Sequence, residues 1–148
     1  MASAIERHLL DVNVWIALLD DAHVHSSKAH ALIQKRGLKI ATCPIIENSV
    51  LRLTNTPGIN RLGPPGFAIV RSKMTALCTD LDHEFWPDDI SLRHDDVIDW
   101  GRISGHNQIT DAYLLALAVK HRGVLASFDQ RIAISSVHKA STHHLRLL

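Results

Sequence analysis

Short apolar runs of strand length alternate along this chain with segments of helical periodicity. The runs at residues 7–12, 37–42 and 124–129 have the length and apolar content of buried strands. Apolar residues recur at helical spacing between them, most strongly over residues 109–123. Strands that alternate with helices are typical of βαβ units, so the sequence predicts an α/β fold with a mainly parallel sheet.

Weaker patterns complete the predicted order of elements. Further helices are predicted at 14–19, 26–36, 44–53, 67–78 and 96–104, shorter strands at 83–86 and 143–148, and a Pro/Gly-rich loop at 54–66. Pro44 suits the first turn of its helix, where a missing N–H costs nothing. No repeat or linker divides residues 1–148, so we expect a single domain.

The composition is that of an ordinary globular protein, with 46% hydrophobic and 21% charged residues. No apolar run approaches the roughly 18 residues that a membrane span requires. The first residues lack the pattern of a secretory signal, and two cysteines make no disulfide framework. We therefore expect a cytoplasmic protein without membrane association. A formal net charge of +1 leaves room for a local basic patch that binds nucleic acid.

Four acidic residues fall at the junctions between predicted elements. Asp11 ends the first strand, and Asp129 lies just past the stretch "VLAS" at 124–127. Glu47 and Asp111 lie in the first turns of helices, where the helix dipole favours negative charge. Since ligands of parallel sheets bind at the carboxyl ends of strands, these acids are placed to converge. Carboxylates at close range repel one another unless a hard divalent cation such as Mg²⁺ or Mn²⁺ compensates their charge.

Each acid also has a local explanation. Asp11 could cap the helix that follows it, Asp111 could be an ordinary first-turn residue, and Asp129 could form a turn. Glu47 has no such local explanation. The acid of a capping box would stand at position 46, which is Ile46 in this chain. The remaining acids come in polar clusters that are typical of solvated surfaces, turns or caps; they include Asp20, Asp21, Asp88, Asp89, Asp95, Asp96 and Asp99.

Four motifs in order, "LLDVNVWIAL", "TCPIIENSVLRL", "QITDAYLLALA" and "LASFDQRI", resemble the PIN domain family, most closely its VapC-type ribonuclease toxins of bacterial toxin–antitoxin pairs. The resemblance implies a three-layer α/β/α fold with about five strands. It also implies a Mg²⁺-dependent endoribonuclease, with Mn²⁺ as a possible substitute. The implied catalytic and metal-binding residues are Asp11, Glu47, Asp111 and Asp129, supported by Asn13, Thr110 and Ser127.

The chemistry that such a site needs follows from the reaction itself. Hydrolysis of a phosphodiester requires a water of lowered pKa and positive charge near the phosphoryl oxygens, and a carboxylate-held metal offers both. No covalent nucleophile is needed. The chain has neither a Gly-rich phosphate-binding loop nor a G-x-S-x-G motif, which argues against the corresponding nucleotide and serine hydrolases.

The resemblance further implies RNA as substrate, a small antitoxin as partner and a homodimer. Arg52 is a candidate RNA contact, with Arg61, Arg71 and Lys73 in the same region, while Arg131 could neutralise the carboxylates or meet an antitoxin. The alternatives are an RNA-processing PIN nuclease without an antitoxin and a catalytically idle module that binds RNA or protein. A receiver-like domain with an acidic Mg²⁺ pocket is disfavoured, because it gives Glu47 no role.

The chain contains 11 histidines, three of which lie close together in "HVHSSKAH". His23, His25 and His30 raise the question of a zinc site. Their spacing is poor for one, because His23 and His30 share a helical face only if the helix already includes position 23, and no cysteine lies near. A solvated helix start explains them better.

Overall fold

The computed structural model describes residues 6–55 and 66–148. Its strands are β1 (Arg7–Leu10), β2 (Lys39–Thr42), β3 (Asp82–Phe85), β4 (Val124–Ser127) and β5 (Leu145–Leu147). Its helices are α1 (Val12–Leu19), α2 (Ser26–Ile33), α3 (Pro44–Thr54), α4 (Phe67–Asp80) and α5 (Gln108–Lys120). Single turns of 3₁₀ helix occur at Trp100–Arg102, Ile134–Ser136 and Thr142–His144.

The five strands form one sheet in the order β3-β2-β1-β4-β5, and every pairing is parallel. Leu9 of β1 lies opposite Ala41 on one side and Leu125 on the other. All three side chains are fully buried, as expected for central strands covered on both faces. The predicted parallel sheet of about five strands is confirmed.

The strand order also fixes the layers. The chain moves outward from β1 to β2 and β3, then crosses back to β4 on the other side of β1. Because crossovers between parallel strands are right-handed, reversing direction places α5 on the opposite face from the earlier helices. In agreement, α1 packs on α2 and α3, while α5 packs on β1 and β4. The predicted three-layer α/β/α arrangement is confirmed.

Helix α5 supplies much of the core, because residues 112–118 are all buried. Leu114, Leu115 and Leu117 are completely inaccessible to solvent. A helix that is apolar all round must be enclosed, so its strongly apolar sequence matches its position against the two central strands. Among the described helices, none has the length and apolarity needed to cross a membrane.

One predicted helix is wrong. Residues 96–104 form only the 3₁₀ turn Trp100–Arg102, although their spacing resembles a short helix. Ile98 instead makes an isolated antiparallel bridge to Val137, and Asp99 accepts a hydrogen bond from the Gly101 N–H across the turn. Tertiary pairing therefore overrides the local pattern. Within the predicted loop 54–66, residues 56–65 lie outside the described residues.

The C-terminus of α5 has a defined capping geometry that the sequence pattern alone did not reveal. The Arg122 N–H donates to Val119 O and the Gly123 N–H to Ala118 O, at 3.2 and 2.8 Å, which is the Schellman pattern of a helix C-terminus. Arg122 is the left-handed residue, with φ 55°. Gly123 serves close packing instead, because a Cβ there would lie 2.6 Å from Arg7 O and 2.7 Å from the Trp86 ring.

These two neighbours should respond oppositely to substitution. Arg122→Gly removes a left-handed conformation that costs about 1–2 kcal/mol and adds chain entropy worth about 0.5–1 kcal/mol, so we expect a net stabilisation of about 0.5–1 kcal/mol. Gly123→Ala forces overpacking against a backbone carbonyl, so we expect a loss of about 1–3 kcal/mol. Urea unfolding measures both. A neutral Gly123→Ala protein would contradict the close approach.

Candidate active site

The acidic residues at the ends of β1 and β4 lie where the strand order reverses. The chain leaves β1 toward one edge of the sheet and returns to β4 on its other side, which opens a crevice at the carboxyl ends of these two strands. Asp11 directly follows β1, and Asp129 lies two residues past β4. This is the position at which open parallel sheets bind their ligands.

Asp11 is both a helix cap and a member of the site. It is the N-cap of α1, and its Oδ1 accepts a hydrogen bond from the Val12 N–H at 2.7 Å. Its Oδ2 accepts a second bond from the Ser127 hydroxyl at 2.6 Å. Only 7% of the residue is exposed, and this burial raises the pKa of Asp11 although both hydrogen bonds oppose the shift.

The Ser127 hydroxyl connects the ends of the two strands. It donates to Asp11 and accepts a bond from the Asp129 N–H at 3.0 Å. The Asn13 amide donates to the same oxygen at 3.4 Å, while its carbonyl accepts from the Phe128 N–H at 3.5 Å. Ser127 therefore contacts both Asp11 and Asp129, and Asn13 contacts Ser127 and the Phe128 backbone, while their role in orienting metal ligands stays a prediction.

Asp111 enters the same site from the first turn of α5. The pKa of Asp111 is raised to about 6, chiefly by burial and also by the negative charges of Asp11 and Asp129. The positive charge of Arg131 acts in the opposite direction. The three aspartates come from three distant parts of the chain and are close enough to repel one another. A carboxyl with a pKa near 6 is the kind of group expected at a functional site.

Asp129 is held by a basic neighbour. Its Oδ1 accepts bonds from the Arg131 backbone N–H at 2.9 Å and from Arg131 Nε at 3.1 Å. These hydrogen bonds and the guanidinium charge lower the pKa of Asp129. Arg131 is itself highly exposed. Its contact with Asp129 matches the predicted role of neutralising the carboxylates, and the contact with an antitoxin stays a prediction.

Glu47 lies in the first turn of α3, one strand away from Asp11, but its side chain is engaged elsewhere. Its Oε2 accepts a 2.7 Å bond from the Thr42 hydroxyl, which is also 2.7 Å from His83 Nε2. Since the hydroxyl has one proton, His83 must donate through Nε2 when Thr42 donates to Glu47. Together with Arg71, these residues line a cavity of about 440 Å³.

The acidic side chains of the site can be compared with the ligands that a metal ion requires. Carboxylate oxygens alone suit a hard divalent cation, and the mutual repulsion around Asp111 is what such a cation would relieve. Yet no three His, Cys, Asp or Glu side chains among residues 6–55 and 66–148 are arranged closely enough to hold an ion. The chemistry of the carboxylates fits such an ion, and the donors that already contact them are Arg131 at Asp129 and Thr42 at Glu47.

The other predicted residues are more scattered. Thr110 is exposed next to Asp111, and no hydrogen bond joins its hydroxyl to the described residues of the site. Arg52 is exposed on α3, one turn beyond Glu47, and Lys73 is exposed on α4. Arg61 lies outside the described residues. Of the basic candidates near Glu47, Arg71 lines its cavity.

Thr42 and His83 were missed by the sequence analysis. Thr42 ends β2 as Ser127 ends β4, so the rule that strand ends line the site could have selected it. His83 has no comparable signal, because it reaches Thr42 only through the pairing of β2 with β3. Of the clustered histidines, His30 lies 3.6 Å from Asp21 and His25 stacks on Phe128.

The raised pKa of Asp111 predicts a pH-dependent stability. Its folded pKa of about 6 exceeds the ordinary 3.8, so the folded protein binds more protons and stability falls as pH rises through this window. Asp111→Asn should not lose stability in this way, because asparagine does not ionise. In metal-free buffer the variant should melt above the wild type at pH 7.5, and the difference should vanish toward pH 4.

A matched control is Asp21→Asn, which changes a carboxylate whose side chain is 96% exposed. Thermal melts of the three proteins across pH 4–8 make the comparison. A difference between Asp111→Asn and wild type that stays constant with pH would contradict the electrostatic account of Asp111.

Comparison with known proteins places this architecture in a family. The PIN domain family matches residues 8–137. Ribonuclease VapC44 of Mycobacterium tuberculosis is 41% identical over 146 residues, covering 96% of this chain and 99% of the relative. Ribonuclease VapC29 of the same organism is 37% identical over 125 residues, covering 84% and 87%.

Among solved structures, VapBC2 from Rickettsia felis bound to a DNA fragment from its promoter matches with a TM-score of 0.49 and 13% identity, covering 84% of this chain and 89% of that chain. The family match includes the elements that carry all four acids, and the first relative matches nearly the whole chain. The chain therefore belongs to the PIN domain family, among proteins of the VapC type.

Proposed function

We propose that this protein is a metal-dependent endoribonuclease that hydrolyses RNA phosphodiester bonds. The observation that carries the proposal is the convergence of Asp11, Asp111 and Asp129 at the carboxyl ends of the two central strands, close enough for two of them to raise the pKa of the third. A fold that only needed helix caps would not place three aspartates in mutual repulsion. The names of the relatives, which are ribonucleases, support the same activity.

A divalent cation, Mg²⁺ or Mn²⁺, held by these carboxylates would supply positive charge at the phosphoryl oxygens and a water of lowered pKa. Asp11 and Asp129 are the proposed nearest ligands, because Ser127 aligns the carboxylate of one and the backbone of the other. Asp111 and Glu47 bind the ion directly or through water, or position the attacking water. Asn13 keeps the backbone after β4 close to α1.

Two neighbouring side chains already contact the acids at which a cation would bind. Arg131 occupies both oxygens of Asp129, so a cation competes with this guanidinium for the carboxylate. Thr42 likewise holds Glu47. Thr110 and Arg52 remain proposed as a support for Asp111 and a contact to RNA.

We further propose that the nuclease is the toxin of a type II toxin–antitoxin pair that acts in the cytoplasm, as a homodimer silenced by a small antitoxin. The support is the length of the match to relatives of the VapC type. An RNA-processing PIN nuclease without an antitoxin is the alternative of the same fold, and a catalytically idle PIN-like module that binds RNA or protein is the alternative from another class.

Asp11→Asn is the first test. Asn caps a helix about as well as Asp, so the variant should fold, but it weakens a hard-metal ligand and should lower RNA cleavage by about 100-fold or more. EDTA should silence the wild type, and Mg²⁺ or Mn²⁺ should restore it. Product analysis by gel electrophoresis makes the measurement, with Asp21→Asn as the control that keeps full activity.

Normal cleavage by Asp11→Asn protein would remove this residue from the site. An inactive wild type over a range of RNAs and divalent ions would instead favour the idle module.

Growth of the bacterial host is the second test. Expression of the wild type alone should slow growth, because a ribonuclease without an inhibitor degrades host RNA, whereas Asp11→Asn at matched protein level should not. Co-expression of the protein encoded by the adjacent gene should restore growth if that protein is the antitoxin. Equal growth with wild type and variant would refute the toxin role and leave the processing nuclease as the better explanation.

A further inference from the structure

Two aromatic rings stack beside the acidic site. The His25 ring lies on the Phe128 ring with centroids 4.4 Å apart and planes 14° from parallel. Phe128 follows Ser127 and precedes Asp129, so it is bonded directly to two residues of the site. Both rings are half-buried and retain access to solvent. The stacked pair therefore belongs to the segment that carries Ser127 and Asp129.

The His25 side chain stacks on Phe128 but does not cap the helix that follows it. His25 is at the N-cap of α2, yet its side chain makes no capping hydrogen bond. Its backbone N–H instead donates to His23 Nδ1 at 3.0 Å, and the His23 ring lies 5.8 Å from its own at a 45° tilt. Two of the three clustered histidines, His23 and His25, thus form an aromatic group with Phe128.

Positive charge continues from this surface along α2. Lys28 lies in the first turn of α2, Lys35 just past its end, and Arg146 on the neighbouring β5, and all three line one cavity of about 250 Å³. In residues 6–55 and 66–148 none of the three forms an ion pair with a carboxylate. Burial lowers the pKa of His8 beneath them, and the charges of Arg146 and Lys35 lower it further.

We propose that single-stranded RNA binds across this surface, with a base next to the cleaved phosphate stacked against His25 and Phe128 and with the backbone running along Lys28, Lys35 and Arg146. The proposal rests on the proposed ribonuclease function and adds a binding surface to it. The substrate class is RNA whose bases are unpaired at the cleavage site.

The physical reasons for this assignment are the complementary needs of bases and phosphates. Unpaired bases expose faces that stack on aromatic rings, whereas bases in a duplex are already stacked on one another. The acidic site repels phosphates, so RNA binding needs basic side chains nearby. Lysines that bind a nucleic-acid backbone release its counterions, which favours binding. The stacked rings supply the first need, and the basic residues that follow them along α2 and on β5 supply the second.

The test compares His25→Leu with His25→Phe. Both replacements fill the space against Phe128, but only Phe keeps a ring on which a base can stack. Binding of fluorescein-labelled oligo(A) and oligo(U) of about ten nucleotides is measured in EDTA, where cleavage does not occur. His25→Leu should weaken binding by about 5- to 150-fold, the range expected for one lost base stack, and His25→Phe should bind like the wild type.

An abasic ribose-phosphate chain of the same length distinguishes a loss of base stacking from a general disturbance of the folded protein. Neither variant should change its affinity for this probe, because it has no base to stack. Lys28→Gln combined with Lys35→Gln should reduce the slope of log Kd against log salt by about 1.4, which is two single-strand phosphate contacts. Lys120→Gln with Lys139→Gln removes two lysine charges beside α5, which lies on the opposite face of the sheet, and is the control that leaves both quantities unchanged.

The proposal is overturned if His25→Leu binds oligo(A) and oligo(U) as tightly as the wild type, or loses the same factor for the abasic chain. Either result leaves the proposed nuclease intact. A wild type that neither binds these probes nor cleaves RNA with Mg²⁺ would refute the nuclease itself and this surface with it.

Discussion

The carboxyl ends of β1 and β4 are joined by the Ser127 hydroxyl, and the arrangement of the acidic site depends on this contact. One oxygen donates to Asp11, accepts from the backbone of Asp129 and is approached by Asn13. The Asp11 N–H also donates to Ala126 O at 2.9 Å, which extends the strand pairing to the first residue of the site. The parallel ladder thus carries its geometry directly into the position of two carboxylates.

The cost of this arrangement is electrostatic. Burial raises the pKa of Asp11 and of Asp111, and the aspartates oppose one another's ionisation. The protein compensates the acids separately, with hydroxyls for Asp11 and Glu47 and with a guanidinium for Asp129. Such a site is less stable than an uncharged one would be, which is typical where a function requires groups that folding alone would avoid.

Much of the fold and part of the site could be predicted, for specific reasons. The alternation of apolar runs with helical patterns predicted the parallel sheet, and Asp11 and Asp129 were placed by the rule that strand ends line the crevice. The preference of helix starts for acids correctly predicted that Asp111 lies near Asp11 and Asp129. It did not predict that the Glu47 side chain would instead bind Thr42. The helix predicted at 96–104 failed because Ile98 pairs with Val137, a contact that no local pattern reveals.

The sequence by itself determined which elements form and which residues stand at their junctions, because apolar periodicity, caps and strand ends are local properties. Only the tertiary structure decided which junctions meet. The strand order puts β1 beside β4, so that Asp11 reaches Ser127 across 116 residues, and places His25 on Phe128. Those contacts depend on the register and packing of distant segments, which no spacing along the chain encodes.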